Sequence, residues 1–242
     1  MTTASDSSTF DLPAAVRVLA IGAHPDDIEF GCGATLAKWA AEGAQVELCV
    51  LTDGSKGTWD PTSDLAALVA TRQAEQRAAA ARLGAAAVHF LGRVDGELVA
   101  DRDTTEALCR VIRAARPDVL LGHDPWKQYR LHPDHRAGGR LVIDALVAAR
   151  DPHFFPDAGV PHRPEHLLLF EAQVVDHVER VTDAQVQAKI DALMAHHSQW
   201  LSTHGIAEGT AEEPEQRERF ATKLRDEIAA AGGEPFKRID DL

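Results

Sequence analysis

Residues 16–33, VRVLAIGAHPDDIEFGCG, decide how this chain is read. The apolar run 16–21 stops at Gly22-Ala23 and gives way to His24, Pro25, Asp26, Asp27 and Glu29. A short apolar run bounded by glycine and proline is the pattern of a strand buried on both faces of a parallel sheet. Functional groups in open α/β sheets gather where such strands end at their carboxyl edge. His24, Asp26 and Asp27 are therefore expected at the mouth of a sheet. The competing reading is a polar turn with a helix cap, since Asp beside Pro is common in loops.

A second cluster, His132-Pro133-Asp134-His135, breaks the tie. It precedes residues 136–150, where Leu141, Ile143, Ala145, Leu146 and Ala149 can form one apolar helix face. Proline suits the first helical position because its missing N–H has no intrahelical partner there. Imidazole and carboxylate together suit Zn²⁺ with three protein ligands and one open position. Each cluster alone is ambiguous, but two of matching chemistry point to a shared metal site.

The remaining strands and helices alternate. Strands are expected at 46–51, 88–91, 119–122 and 166–172, and helices at 34–41, 64–83, 104–115, 182–200 and 212–231. Such alternation implies a three-layer, Rossmann-like α/β sandwich with a mostly parallel sheet. With 242 residues and 45% hydrophobic content, residues 16–242 can form a single domain, and residues 1–15 read as a disordered lead-in. Dinucleotide binding is unsupported: no G-x-G-x-x-G follows the first strand, and acidic side chains stand where a pyrophosphate needs bare N–H groups.

A net charge of −13 argues against nucleic acid or an anionic membrane as partner. No apolar run approaches membrane-spanning length. Three widely spaced cysteines, Cys32, Cys49 and Cys109, make neither a disulfide framework nor a thiolate site, and a cytoplasmic location fits them. A homo-oligomer is compatible with the sequence.

The chemistry follows from the two clusters. If His24, Asp27 and His135 hold the metal, the fourth position is left to water. Asp26, next to Asp27 but outside the ligand set, is placed to act as general base. His132 is placed to stabilise the developing oxyanion, with Asp134 to orient or charge its ring. The assembly describes metal-assisted hydrolysis of an amide or ester.

AHPDDIE at 23–29 with the later HPDH resembles the LmbE-like or PIG-L family of metal-dependent deacetylases. Further resemblance lies in Thr52-Asp53-Gly54 with Gly57, Arg72-Gln73-Ala74-Glu75, Asp95-Gly96, His196-His197-Ser198-Gln199 and Glu234-Pro235-Phe236. The resemblance implies removal of an N-acetyl group from an N-acetylglucosamine-type sugar or glycoconjugate, usually with zinc, and the same roles for the six residues above, with an amidase acting on a thiol-sugar conjugate through the same site as the alternative. It also implies sugar contacts from Arg72 and Asp95. Arg130 stands where some relatives carry a tyrosine and joins the substrate-binding set with Glu29, for which a cap or salt bridge in the first helix is the alternative. Trp59 and Trp126 lie on loops able to offer a sugar an aromatic face. His123, at a strand end, is expected near the site. Ligand chemistry alone leaves Fe²⁺ and Co²⁺ open beside Zn²⁺. It also leaves two rival classes, a two-His-one-carboxylate iron enzyme and a metal-stabilised sugar-binding protein.

Overall fold

The computed structural model describes residues 9–13 and 16–242. Its strands are β1 (Thr9–Phe10), β2 (Arg17–Gly22), β3 (Gln45–Thr52), β4 (Ala87–Arg93), β5 (Val119–His123), β6 (His166–Phe170), β7 (His177–Glu179) and β8 (Glu234–Ile239). The helices are α1 (Asp27–Ala41), α2 (Leu65–Arg82), α3 (Arg102–Ala115), α4 (Pro133–Arg150), α5 (Asp183–Leu193) and α6 (Glu213–Ala231). The strands form one sheet in the order β1-β7-β8-β6-β5-β2-β3-β4, parallel except for β8, which runs against both neighbours.

The apolar runs of the sequence become strands because successive side chains enter opposite cores. Leu19, Ile21, Leu120, Leu167 and Leu169 pack with α3 and α4 on one face. Val18, Ala20, Leu121, Leu168 and Phe170 pack with α1, α2 and α5 on the other. Both faces are covered, which is the expected three-layer sandwich. The chain winds from β2 outward through β3 and β4, then returns across to β5 and β6. The switch point lies between the carboxyl ends of β2 and β5, where an open sheet leaves a crevice.

Three features depart from the sequence expectation. Helix α1 begins at Asp27 rather than near Ala34, and it is broken at Cys32 (φ −152°, ψ 18°). Expected helix 182–200 ends at Leu193, and residues 197–204 continue as a 3₁₀ turn and a π turn. The expected lead-in lies mostly outside the described residues, but within it β1 pairs in parallel with β7 and the Leu12 N–H donates to Glu179 Oε1 (2.7 Å). No described helix is long and apolar enough to cross a membrane.

A third core packs α5 and α6 together around Ile190, Leu193, Trp200, Phe220 and Leu224. At its edge His204 stacks on Phe220 (4.5 Å between centroids), and neither ring nitrogen has a partner among the described residues. Burial pushes its pKa down to about 3, with a smaller push from His196. The folded chain holds this ring neutral, while the unfolded chain protonates it below about pH 6.5. Stability is therefore lost as pH falls below that value, by about 1.4 kcal/mol per unit for one proton. His204→Phe is expected to flatten this acid limb, read as urea midpoints between about pH 7 and about pH 4.

Candidate metal centre

Strand β2 ends at Gly22, and the chain turns through residues 23–26 into α1. A Cβ on Gly22 would sit 2.8 Å from Ile28 Cγ1, so only glycine lets α1 fold back over the strand end. On the far side of the switch point, a Cβ on Gly139 would meet the His123 carbonyl oxygen at 2.7 Å. That glycine lets α4 press against the end of β5. These two close approaches bring AHPDD and HPDH together although they lie over a hundred residues apart.

His24 is buried, and its backbone N–H donates to Asp27 Oδ2 (2.7 Å). Its Nε2 faces Asp134 Oδ2 (3.0 Å) and Asp95 Oδ1 (3.2 Å). Carboxylates at Nε2 hold a proton there, so Nδ1 is the nitrogen that an ion would take on displacing the second proton. Nδ1 lies 3.2 Å from Asp27 Oδ2 and 3.3 Å from His135 Nε2, and that nitrogen is 3.2 Å from Asp27 Oδ1. Three donor groups thus face one another, Asp27 through Oδ2 toward His24 and through Oδ1 toward His135. Among the described residues the overlapping triads able to hold an ion are His24–His132–His135, Asp27–His123–His135 and His24–Asp95–Asp134.

The field at this point demands a positive charge. Burial depresses the His24 imidazole, but Asp27, Asp134 and Asp95 outweigh it and push its pKa up to about 12. Burial raises Asp27, yet His135, His24 and His123 hold it well below the ordinary carboxylate range. In the metal-free chain a proton on imidazole balances these carboxylates, and a divalent cation displacing it serves better. Donor set and field both fit a metal ion.

Asp26 stays outside the triad. Its backbone is left-handed (φ 102°, ψ −27°), a conformation that costs a non-glycine residue on the order of 1–3 kcal/mol. Burial and neighbouring Asp27 push its carboxyl up to about 6 against the pull of Arg72. Arg72, also buried, donates to the Pro25 carbonyl (2.6 Å) and the Gly54 carbonyl (2.9 Å), with Nη2 3.5 Å from Asp26 Oδ2. His132 caps α4: its Nδ1 accepts the Asp134 N–H (3.2 Å), so its proton is left on Nε2. Burial and the nearby His24 and His135 lower its pKa, which keeps the ring a neutral donor.

A cleft of about 430 Å³ opens over these groups, walled by Asp26, Arg72, Asp95, His132, Glu171 and Gln199 among others. Several side chains stand elsewhere than the sequence leads one to expect. Asp134 does not orient His132 with its carboxylate. It points inward to His24 and accepts the Gly96 and Leu98 N–H groups (2.6 and 3.2 Å), because the helical register turns it toward the core. Glu29 does not reach the cleft, because α1 starts early enough to bury it fully, where it accepts from Gln76. Arg130 is drawn off by Glu171 and stands 3.0 Å from His135 Nδ1 instead of walling the cleft. Trp59 and Trp126 are exposed and do not wall it either.

Two contributors were missed in role. His123, buried at the end of β5, lies 3.3 Å from Asp27 Oδ2 and stacks on His135 (4.4 Å between centroids). Glu171 follows β6 directly and lies 3.2 Å from His123 Nδ1. A polar residue closing an apolar run was the available signal for both, the same one that singled out His24.

Two imidazoles and a carboxylate at the carboxyl edge of a doubly wound sheet, with a second buried carboxylate alongside, are the layout of a metal-assisted hydrolase. Residues 19–146 match the family model described as PIG-L: GlcNAc-PI de-N-acetylase. The chain belongs to the PIG-L family. It is 35% identical over 188 residues to a diacetylchitobiose deacetylase from Thermococcus kodakarensis, covering 76% of this chain and 70% of that one. It is 38% identical over 171 residues to a 1D-myo-inositol 2-acetamido-2-deoxy-alpha-D-glucopyranoside deacetylase from Streptomyces scabiei. That match covers 60% of this chain and 52% of the relative, so the chain spans about half of its length. Among solved structures, the N,N'-diacetylchitobiose deacetylase from Pyrococcus horikoshii, complexed with its inhibitor MPG, superposes with a TM-score of 0.80 at 28% identity. The superposition covers 93% of this chain and 84% of that one.

Proposed function

We propose that this chain is a metal-dependent N-deacetylase that frees the amine of an N-acetylglucosamine-type sugar or glycoconjugate. The observation that carries the reading is the convergence of His24 Nδ1, Asp27 and His135 Nε2 within 3.3 Å of one another. Asp26 stands beside them as a carboxylate outside that set. The relatives' names support the substrate class.

His24, Asp27 and His135 would hold the ion, with Zn²⁺ the best match to an N,N,O donor set and Fe²⁺ or Co²⁺ able to share it. The chemistry supplied by the ion when bound is Lewis acidity toward an acyl oxygen and toward water. Asp26 accepts the proton of the attacking water and later returns it to the departing sugar amine, a task suited to a carboxyl raised toward neutrality. His132 donates its Nε2–H to the oxygen that becomes negative as the acyl carbon turns tetrahedral. Arg72 and Asp95, on the cleft wall, meet ring hydroxyls and place the acetamide.

Asp134 serves His24 rather than substrate. Asp134→Asn is expected to weaken metal affinity about 10–100-fold by loosening the His24 tautomer, measured by competition with a chelator. The function itself is tested by incubating metal-loaded protein with N-acetylglucosamine, diacetylchitobiose and N-acetylglucosaminyl-inositol, scoring acetate and free amine together. Release from at least one supports the reading, and no release from any of them at full metal occupancy overturns it.

A further inference from the structure

We infer that Gln76, oriented by Glu29, is a positioning residue that locks the Pro25–Asp26 peptide and thereby sets where the Asp26 carboxylate lies. The inference rests on Asp26 being the base. The peptide is gripped at both ends from α2: the Pro25 carbonyl accepts Arg72 Nη2–H (2.6 Å), and the Asp26 N–H donates to Gln76 Oε1 (3.0 Å). Arg72 and Gln76 are one helical turn apart and so share a face.

This grip opposes a specific motion. Turning the peptide over by half a rotation would carry the Asp26 φ from 102° to roughly −80°, back into the region open to ordinary residues. The same turn would swing both the carbonyl and the N–H away from their partners on α2, leaving buried polar groups unmatched. The strained form persists because two hydrogen bonds hold it.

Glu29 determines which way Gln76 points. Gln76 Nε2 donates to Glu29 Oε1 (2.5 Å). A carboxylate only accepts, so the amide nitrogen must face Glu29 and the amide oxygen must face Asp26. Gln76, Glu29 and His196 are all fully buried, with His196 Nε2 3.7 Å from Glu29 Oε2. None of the three walls the cleft, so a direct substrate role does not explain them.

The test compares Gln76→Leu, Gln76→Glu, Glu29→Gln and the Gln76→Glu/Glu29→Gln double variant. Gln76→Leu is expected to lower kcat about 100-fold through a misplaced base, with KM within about twofold and metal content unchanged. The exchange rate of the Asp26 amide, read by NMR without substrate, is expected to rise about tenfold as its partner is lost. Gln76→Glu sets two carboxylates against each other and loses activity. The double variant rebuilds the relay in reverse: the amide at position 29 donates to the carboxylate at 76, which accepts the Asp26 N–H. Recovery of both kcat and amide protection in the double variant supports the inference, and a merely structural role would leave kcat per folded, metal-loaded protein unchanged in Gln76→Leu. Wild-type kcat and amide protection in Gln76→Leu overturn it. Should Gln76→Leu fail to fold, a double variant no better than its parent single variants overturns it instead. The amide exchange reads the lock even if no substrate is turned over, which separates failure of this inference from failure of the deacetylase reading.

Discussion

Asp26→Asn is expected to lower kcat by about 10²–10⁴-fold, the span that a positioned general base contributes. The substitution keeps size, shape and the left-handed backbone, since asparagine tolerates that region better than most residues. It removes only the proton-accepting oxygen charge. Asp26 is not among the three groups that converge on the ion-binding point, so metal content is expected to stay stoichiometric and KM to change little. Arg72 Nη2, 3.5 Å from Asp26 Oδ2, can still face the amide oxygen of the variant. Steady-state kinetics with metal analysis on the same sample checks the result. A variant retaining wild-type kcat would remove Asp26 as the base.

The largest expected loss of stability comes from Glu234→Ala, about 3–5 kcal/mol, the cost of stranding one member of a buried ion pair. Glu234 Oε1 accepts from Lys189 Nζ (2.6 Å), with both side chains almost fully buried. The pair repairs the break in α1. In an unbroken helix the Ala34 N–H would bond the Phe30 carbonyl. Here Glu234 Oε1 accepts the Ala34 N–H (3.1 Å), Glu234 Oε2 accepts the Thr35 N–H (2.6 Å), and Lys189 Nζ donates to the Phe30 carbonyl (2.8 Å). Truncation to alanine leaves a cation and two N–H groups unmatched in the core. The urea midpoint is expected to drop accordingly, and the melting temperature by on the order of 10 °C for a chain of this size. A Glu234→Ala/Lys189→Met double variant is expected to regain part of that loss because no unpaired charge remains.

The parts of the fold that were legible in sequence are those where burial on both sheet faces leaves long apolar runs, as in β2, β3 and β5. Strand β8, EPFKRI, escaped because it carries a proline and alternates polar residues toward a partly exposed side. The overrun of α5 has a local cause: the chain turns after Leu193 so that His196 enters the interior beside Glu29, which no helical periodicity announces. In the site, the two clusters singled out His24, Asp26, Asp27, His132 and His135, the family resemblance gave them their roles, and all five line one cleft. The inward turn of Asp134 and the burial of Glu29 were not readable, because each depends on where its helix starts to within a single residue. Gln76 gave no signal at all. Its role exists only through a peptide fifty residues away.

The reacting centre rides on strand ends and helix starts, whereas much of the cleft wall comes from connecting segments, Gly57, Asp95-Gly96 and Thr203 among them. The 95–98 segment is tied to the floor, through Asp95 to His24 and through the Gly96 and Leu98 N–H groups to Asp134. The stretches carrying Gly57 and Thr203 instead form rim that can change with less effect on the β2 turn and the start of α4. A chassis held fixed under an exchangeable collar lets one scaffold take substrates of different shape. Transplanting a relative's collar is accordingly the economical route to redirecting this chain toward a different substrate.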